Sequence, residues 1–283
     1  MTMPVLRPLS AGEILDVAFG LYRRLFVPLV LIQVICSSLP FLVGLYAAAL
    51  GPSMETITIT LVSYLLSFLL GALASGATAL VISENYLGRE VGAMDGLRRA
   101  LPRFPSLVGV SLFVALLVGV AMLPFVIAIA ASAVGLGAEQ PGLAVALGLV
   151  AIATLILPVL TFSGLAVSTP ALVIERLRAP TRAMGRSWAL TRGSRLRIVG
   201  LLFVFLVILF VPFIGATLIL QMALGALDTA AARVLSTVIA SVLTFVLGPI
   251  LYCILTLTYY DMRVRKEAFD LEVLSTQLGV SAP

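Results

Sequence analysis

Six stretches of this chain run for at least 27 residues without an Asp, Glu, Lys or Arg: Leu25–Met54, Thr56–Ser83, Phe104–Ala138, Gln140–Ile174, Ile198–Leu227 and Val234–Tyr260. A helix of that length rises about 40 Å, more than the roughly 30 Å of a bilayer's hydrocarbon core, and satisfies its own backbone groups in lipid. The expected fold class is therefore all-α: a polytopic membrane protein with six transmembrane helices in one integral membrane domain over residues 1–283. Composition agrees, with 61% hydrophobic and 11% charged residues and a mean hydropathy of +1.18. A soluble domain, a disordered chain, a secreted disulfide scaffold, a collagen and a coiled coil are all excluded by those values.

Orientation follows from the arginines, because positively charged loops are retained in the cytoplasm. Of the 18 cationic residues, only Arg233 falls on one side of the six spans; the other 17 share the opposite side. Both termini are thus expected in the cytoplasm, with residues 262–283 as a cytoplasmic tail. The same asymmetry accounts for the net charge of +5 through anionic headgroups, without nucleic acid. Ala47-Ala48-Ala49 resembles a signal-peptide cleavage site, but the apolar run before it is too long and Glu13 and Asp16 precede it. The first span is expected to remain as a helix.

The spans repeat. Leu39-Pro40-Phe41, Leu123-Pro124-Phe125 and Val211-Pro212-Phe213 mark the odd ones, Leu50-Gly51, Leu136-Gly137 and Leu224-Gly225 follow, and the even ones end at the acids Glu84, Glu175 and Asp261. Matching landmarks recur every 84 to 91 residues, which gives three hairpin repeats over 9–84, 90–175 and 180–261. A cytoplasmic amphipathic helix is expected before each hairpin. Its apolar stripe is Ile14, Ala18, Leu21 and Leu25 in the first unit, and Val91, Met94, Leu97, Leu101 and Phe104 in the second. Ser10 with Glu13 fits a capping box, and Pro180 suits a first helical position.

The chemistry-bearing inventory is thin. There is no His, the two cysteines Cys36 and Cys253 lie far apart in apolar runs, and phosphate loops, nucleophile elbows and metal motifs do not occur. No cofactor or metal is expected. The span interiors hold only neutral polar groups, including Gln33, Ser37, Ser38, Ser63, Ser67, Thr154, Gln221, Ser241 and Thr244, whose ordinary role is helix–helix hydrogen bonding. Pro40, Pro124, Pro158, Pro212 and Pro249 remove backbone donors and can kink their helices around a cavity, and Gly71, Ala74, Ser75 and Ala77 form a face suited to close packing.

The segment from Glu175 to Trp188 is the most polar in the chain. Arg178, Arg182 and Arg186 recur every four residues and, on a helix reaching back that far, line one side; with Trp188 at headgroup level they read as positive-inside anchoring or, more sharply, as a contact for an anionic headgroup or a partner protein. Glu84, Glu175 and Asp261 are expected to pair with arginines.

Leu9-Ser10-Ala11-Gly12-Glu13-Ile14-Leu15-Asp16 with Leu21-Tyr22-Arg23, and Pro170-Ala171-Leu172-Val173-Ile174-Glu175 with Arg186-Ser187-Trp188-Ala189-Leu190, resemble the membrane domain that precedes some bacterial glycerophosphoryl diester phosphodiesterases and also occurs as stand-alone multi-span proteins. In the two-part relatives the activity belongs to a separate barrel that uses His and Glu. Nothing here corresponds to that barrel, so the resemblance implies no catalytic residue. Mitochondrial carriers, also six spans in three repeats, place a charge two positions after each odd-helix proline, where this chain has Leu42, Val126 and Ile214.

The leading expectation is a non-catalytic integral protein of the bacterial cytoplasmic membrane that organises lipids or partner proteins, membrane or cytoplasmic, at the inner face. The alternatives are a channel, permease or transport subunit for a neutral or amphiphilic solute, and a lipid-headgroup enzyme in which Glu84, Glu175 and Asp261 converge without arginine partners.

Overall fold

The computed structural model describes residues 7–137, 140–225 and 229–268, and among these every regular element is helical. Most of the expected tail, from residue 269 on, lies outside the described residues. In chain order the helices are α1 (Ala11–Arg24), α2 (Phe26–Leu50), α3 (Met54–Tyr86), α4 (Ala93–Ala100), α5 (Phe104–Gly137), α6 (Pro141–Thr154), α7 (Ile156–Leu165), α8 (Ser168–Ile174), α9 (Pro180–Thr191), α10 (Arg195–Phe205), α11 (Val211–Gly225) and α12 (Ala230–Glu267).

Five segments are long and apolar enough to cross a membrane: Phe26–Leu50, Met54–Tyr86, Ala93–Gly137, Pro141–Ile174 and Ala230–Glu267. The remaining expected span, Ile198–Leu227, is helical over its described residues but is divided between α10 and α11 by a π-helical stretch, Leu206–Phe210. Pro212, with no N–H to offer the carbonyl of Ile208, accounts for the loosened turn. Pro158 acts similarly: α6 stops at Thr154, whose carbonyl it cannot serve, and α7 starts at Ile156. Pro40, Pro124 and Pro249, by contrast, lie inside unbroken helices.

Burial is concentrated at one end. Ala72 and Ala74–Ser83 of α3, most of Ser168–Val173 of α8 and Pro249–Val264 of α12 form the core with α1 and α9, whereas the far halves of the spans expose Leu, Ile and Val. An apolar exterior around a small-residue contact is the pattern for helices solvated by lipid. Close approach on α3 comes from Gly76, where a Cβ would stand 2.5 Å from the Leu107 side chain; Gly71 has nothing within 4 Å. Ala74, Ser75 and Ala77 of the expected face are buried, and Gly76 joins them as the point of closest approach.

The short helices compare differently with expectation. In α1 the Ser10–Glu13 capping box is formed, and the expected stripe of Ile14, Ala18, Leu21 and Leu25 is buried, in a helix that contacts α12, α10 and α2. In α4 the buried face is Ala93, Gly96 and Ala100, while Met94 and Leu101 are more than half exposed. Gly96 is the reason: a Cβ there would meet Val81 Cγ2 at 2.5 Å, so α4 lies flush on α3 by its smallest residues, with Leu97 packed at the edge of the core and Met94 turned away.

Candidate functional site

The ends of α3 and α8 close in the same way. Arg89 N–H donates to the Glu84 carbonyl and Leu177 N–H to the Leu172 carbonyl, each at 2.9 Å, with the preceding residue, Gly88 or Arg176, in the left-handed region. This six-to-one cap reverses the chain sharply and delivers the following loop beside the helix end. Glycine adopts the conformation freely, whereas Arg176, at φ 55°, holds it at a cost of about 1 kcal/mol.

Between these two caps, α4, the start of α5 and the end of α12 lies a cleft of about 1250 Å³. Six arginines line it, Arg89, Arg99, Arg103, Arg176, Arg178 and Arg263, against one carboxylate, Glu84. Glu84 accepts from Arg89 at 3.2 Å and from Arg99 at 3.5 Å, which steadies those two side chains. Arg103 donates to the Arg99 carbonyl at 2.9 Å. Ser106 donates to the Arg178 carbonyl at 2.6 Å and fixes that loop on α5. Among the described residues, the Arg176 and Arg178 guanidinium groups have no acidic partner. Ser83 and Tyr260 share a buried hydroxyl–hydroxyl bond of 2.6 Å at the cleft wall. Such a surplus of planar, always-charged donors suits an anion with several oxygens, a phosphate above all.

The residues singled out by sequence are dispersed. The helix begins at Pro180, so Arg178 precedes it and cannot share a face with Arg182 and Arg186. Arg178 lines the cleft, Arg182 is exposed on α9, and Arg186 turns inward, donating to Glu175 at 2.8 Å and to Glu267 at 2.6 Å. The hydrogen bond to Glu267, together with Glu175, holds the Arg186 guanidinium above its ordinary pKa. Trp188 lies over Gly164 and stacks on Arg195 at 3.8 Å, in a second depression that also includes Arg192 and Leu196.

Each boundary acid has its own partners. Glu84 is in the cleft; Glu175 takes Arg186 and the Tyr259 hydroxyl, the latter at 2.8 Å. The Asp261 side chain is fully enclosed, accepting from Leu9 N–H at 2.8 Å and pairing with Arg197 at 3.1 Å and Arg265 at 3.0 Å. The three carboxylates do not gather into one cluster, and no group of three metal-ligating residues occurs among the described residues. Sequence reasoning missed Arg89, Arg99, Arg103, Arg176 and Arg263 as site residues, having used them only to orient the chain. The signal available was the density of arginine immediately after Glu84 and Glu175.

Comparison with protein-family models, with curated proteins and with solved structures finds no match to this chain.

Proposed function

We propose that this chain is a non-catalytic integral membrane protein that holds anionic phosphate headgroups, and through them organises lipids or partner proteins, at the cytoplasmic face of a bacterial cytoplasmic membrane. The observation that carries the reading is the cleft with six guanidinium groups and one carboxylate. Arginine surplus on one rim is what the cytoplasmic leaflet attracts, both in setting topology and in binding its anionic lipids.

In this reading the divided helix α10–α11 is the fifth of six spans, its π-helical turns lying within the bilayer. Three successions of short helix and hairpin are repeats of one unit over 9–84, 90–175 and 180–261, and the chain is a counterpart of the phosphodiesterase-associated membrane domain. Superposition of the three units tests the repeat; unrelated packing in one hairpin refutes it. A cysteine placed at the exposed Arg182, in a variant lacking Cys36 and Cys253, reports the orientation through labelling from either side.

Binding is tested with detergent-solubilised protein and vesicles of phosphatidylcholine, alone or with 30% phosphatidylglycerol as a chosen working fraction of about that size. The protein is expected to prefer the anionic vesicles, less so as salt rises, because screening shortens the reach of charge. Equal association with both, together with no protein recovered in a pull-down, refutes the function.

A further inference from the structure

At the opposite end of the spans a second groove, of about 880 Å³, opens between α2, α3 and α12. Two stripes of polar residues face into it. Thr56, Thr60, Ser63 and Ser67 recur at helical spacing along α3, and Arg233, Thr237, Ser241 and Thr244 do so along α12. These hydroxyls are not spent on joining helices. Ser63 alone among them reaches another span, donating to the Pro40 carbonyl at 2.8 Å; Thr237 and Thr244 turn back onto their own helix. Thr60, Ser67 and Ser241, with Ser37 across the groove, have no protein partner among the described residues. An unmatched hydroxyl at membrane depth carries a desolvation cost that a ligand with acceptor oxygens removes.

Arg233 stands at the mouth, its Nε donating to the Ala48 carbonyl at 3.1 Å. Its guanidinium lies 3.0 Å from where a Cβ would be on Gly51, a glycine at φ 80°, so both the turn and the close approach require glycine there. Deeper in, Phe41 and Phe245 meet edge to face at 6.1 Å and give the groove an apolar wall.

From this sequence of a cation, open donors and aromatic rings, we propose that the groove is a binding site for one phospholipid of the leaflet opposite the arginine-rich end. The phosphate oxygens take Arg233. The ester carbonyls accept from Thr60 and Ser241, the hydroxyls with no protein partner that lie nearest that cation along α3 and α12, and an acyl chain runs past Phe41 and Phe245. Ser37 and Ser67 then turn onto carbonyls of their own helices, as Thr244 does.

The test uses the full chain in an Arg176→Ala, Arg178→Ala background, which removes the basic cleft's two unpaired cations and separates this site from that one. Native mass spectrometry after detergent extraction and addition of phosphatidylglycerol is expected to retain one lipid per chain. Ser241→Phe, which fills the groove, is expected to abolish the adduct. Ser241→Ala, which leaves the space open, lowers its retention about fivefold by removing one hydrogen bond. As a second readout, Tyr64→Trp in a Trp188→Phe chain is expected to be quenched by acyl-brominated phosphatidylglycerol more strongly than a Trp at the outward-facing Leu123. No adduct in the background chain, an adduct undiminished by Ser241→Phe, or equal quenching at 64 and 123 overturns the proposal.

Discussion

The amide of Leu9 donates to the carboxylate of Asp261 at 2.8 Å, joining positions 252 residues apart. The Leu9 carbonyl is taken as well, by Arg265 at 2.7 Å and by Arg197. One enclosed acid thus ties the segment before α1 to α12 and, through Arg197, to α10.

Removing that acid strands two partly buried cations and an amide. Asp261→Ala is expected to lower stability by on the order of 3 kcal/mol, since breaking a buried pair leaves its partner charges uncompensated. Asp261→Asn, which retains an acceptor for Leu9, should lose less. Denaturant unfolding in detergent reads the difference; an unchanged midpoint for the alanine variant contradicts the account.

Loss of the unpaired cleft cations should act on binding and leave the fold alone. Arg176→Ala and Arg178→Ala are each expected to weaken association with phosphatidylglycerol vesicles about tenfold, the value of one charge-assisted contact. Their thermal midpoints should stay near that of the parent, and the salt dependence should become shallower. A parental affinity in the double variant would dissociate the cleft from lipid binding.

The start of α1 should respond to acid. Hydrogen bonds from the Ser10 amide and hydroxyl, with the Arg7 guanidinium, lower the Glu13 pKa from 4.5 to about 2. A carboxyl whose folded pKa is depressed contributes stability above its unfolded value and loses it as pH falls through the folded one. Hydrogen exchange at the amides of the first turn is expected to accelerate between pH 4.5 and about 2. Glu13→Gln should show no such step.

Gly164→Ala tests the contact beneath the single tryptophan. A Cβ at this position would come within 2.5 Å of the Trp188 ring, so the ring must move off Arg195 or α9 must shift. The expected cost is about 1–3 kcal/mol, as for other overpacked sites. Trp188 emission should change with it, and an emission spectrum identical to the parent's would mean the ring has room that the structure does not show.

Much of the architecture was legible because charge is costly in hydrocarbon: five charge-free stretches correspond to membrane-length helical segments, and the cap at Ser10 is written in local sequence. Features decided by side-chain size across helices were not. Of the stripe from Val91 to Phe104, Val91 and Leu97 reach the core, while Met94 and Leu101 are displaced from it because Gly96 sets α4 against Val81. Arg178 shares the four-residue spacing of Arg182 and Arg186 but not their helix, which opens at Pro180 as that proline's fit to a first helical position had indicated. The cleft itself depends on two reversals after Glu84 and Glu175, and only the first carries a glycine, Gly88, to announce it. Ser63, Ser67, Ser241 and Thr244 were legible as neutral polar groups within the spans, but nothing in the sequence set those of α3 opposite those of α12.

Helix α12 contributes Arg233 to one groove and Arg263 to the other cleft. Thirty residues of α-helix make a strut of about 45 Å between those two guanidinium groups. Pro249, which has no N–H to give to the turn before it, lies near the strut's midpoint. Any tilt of α12 as a rigid rod about that midpoint displaces the two guanidinium groups in opposite directions.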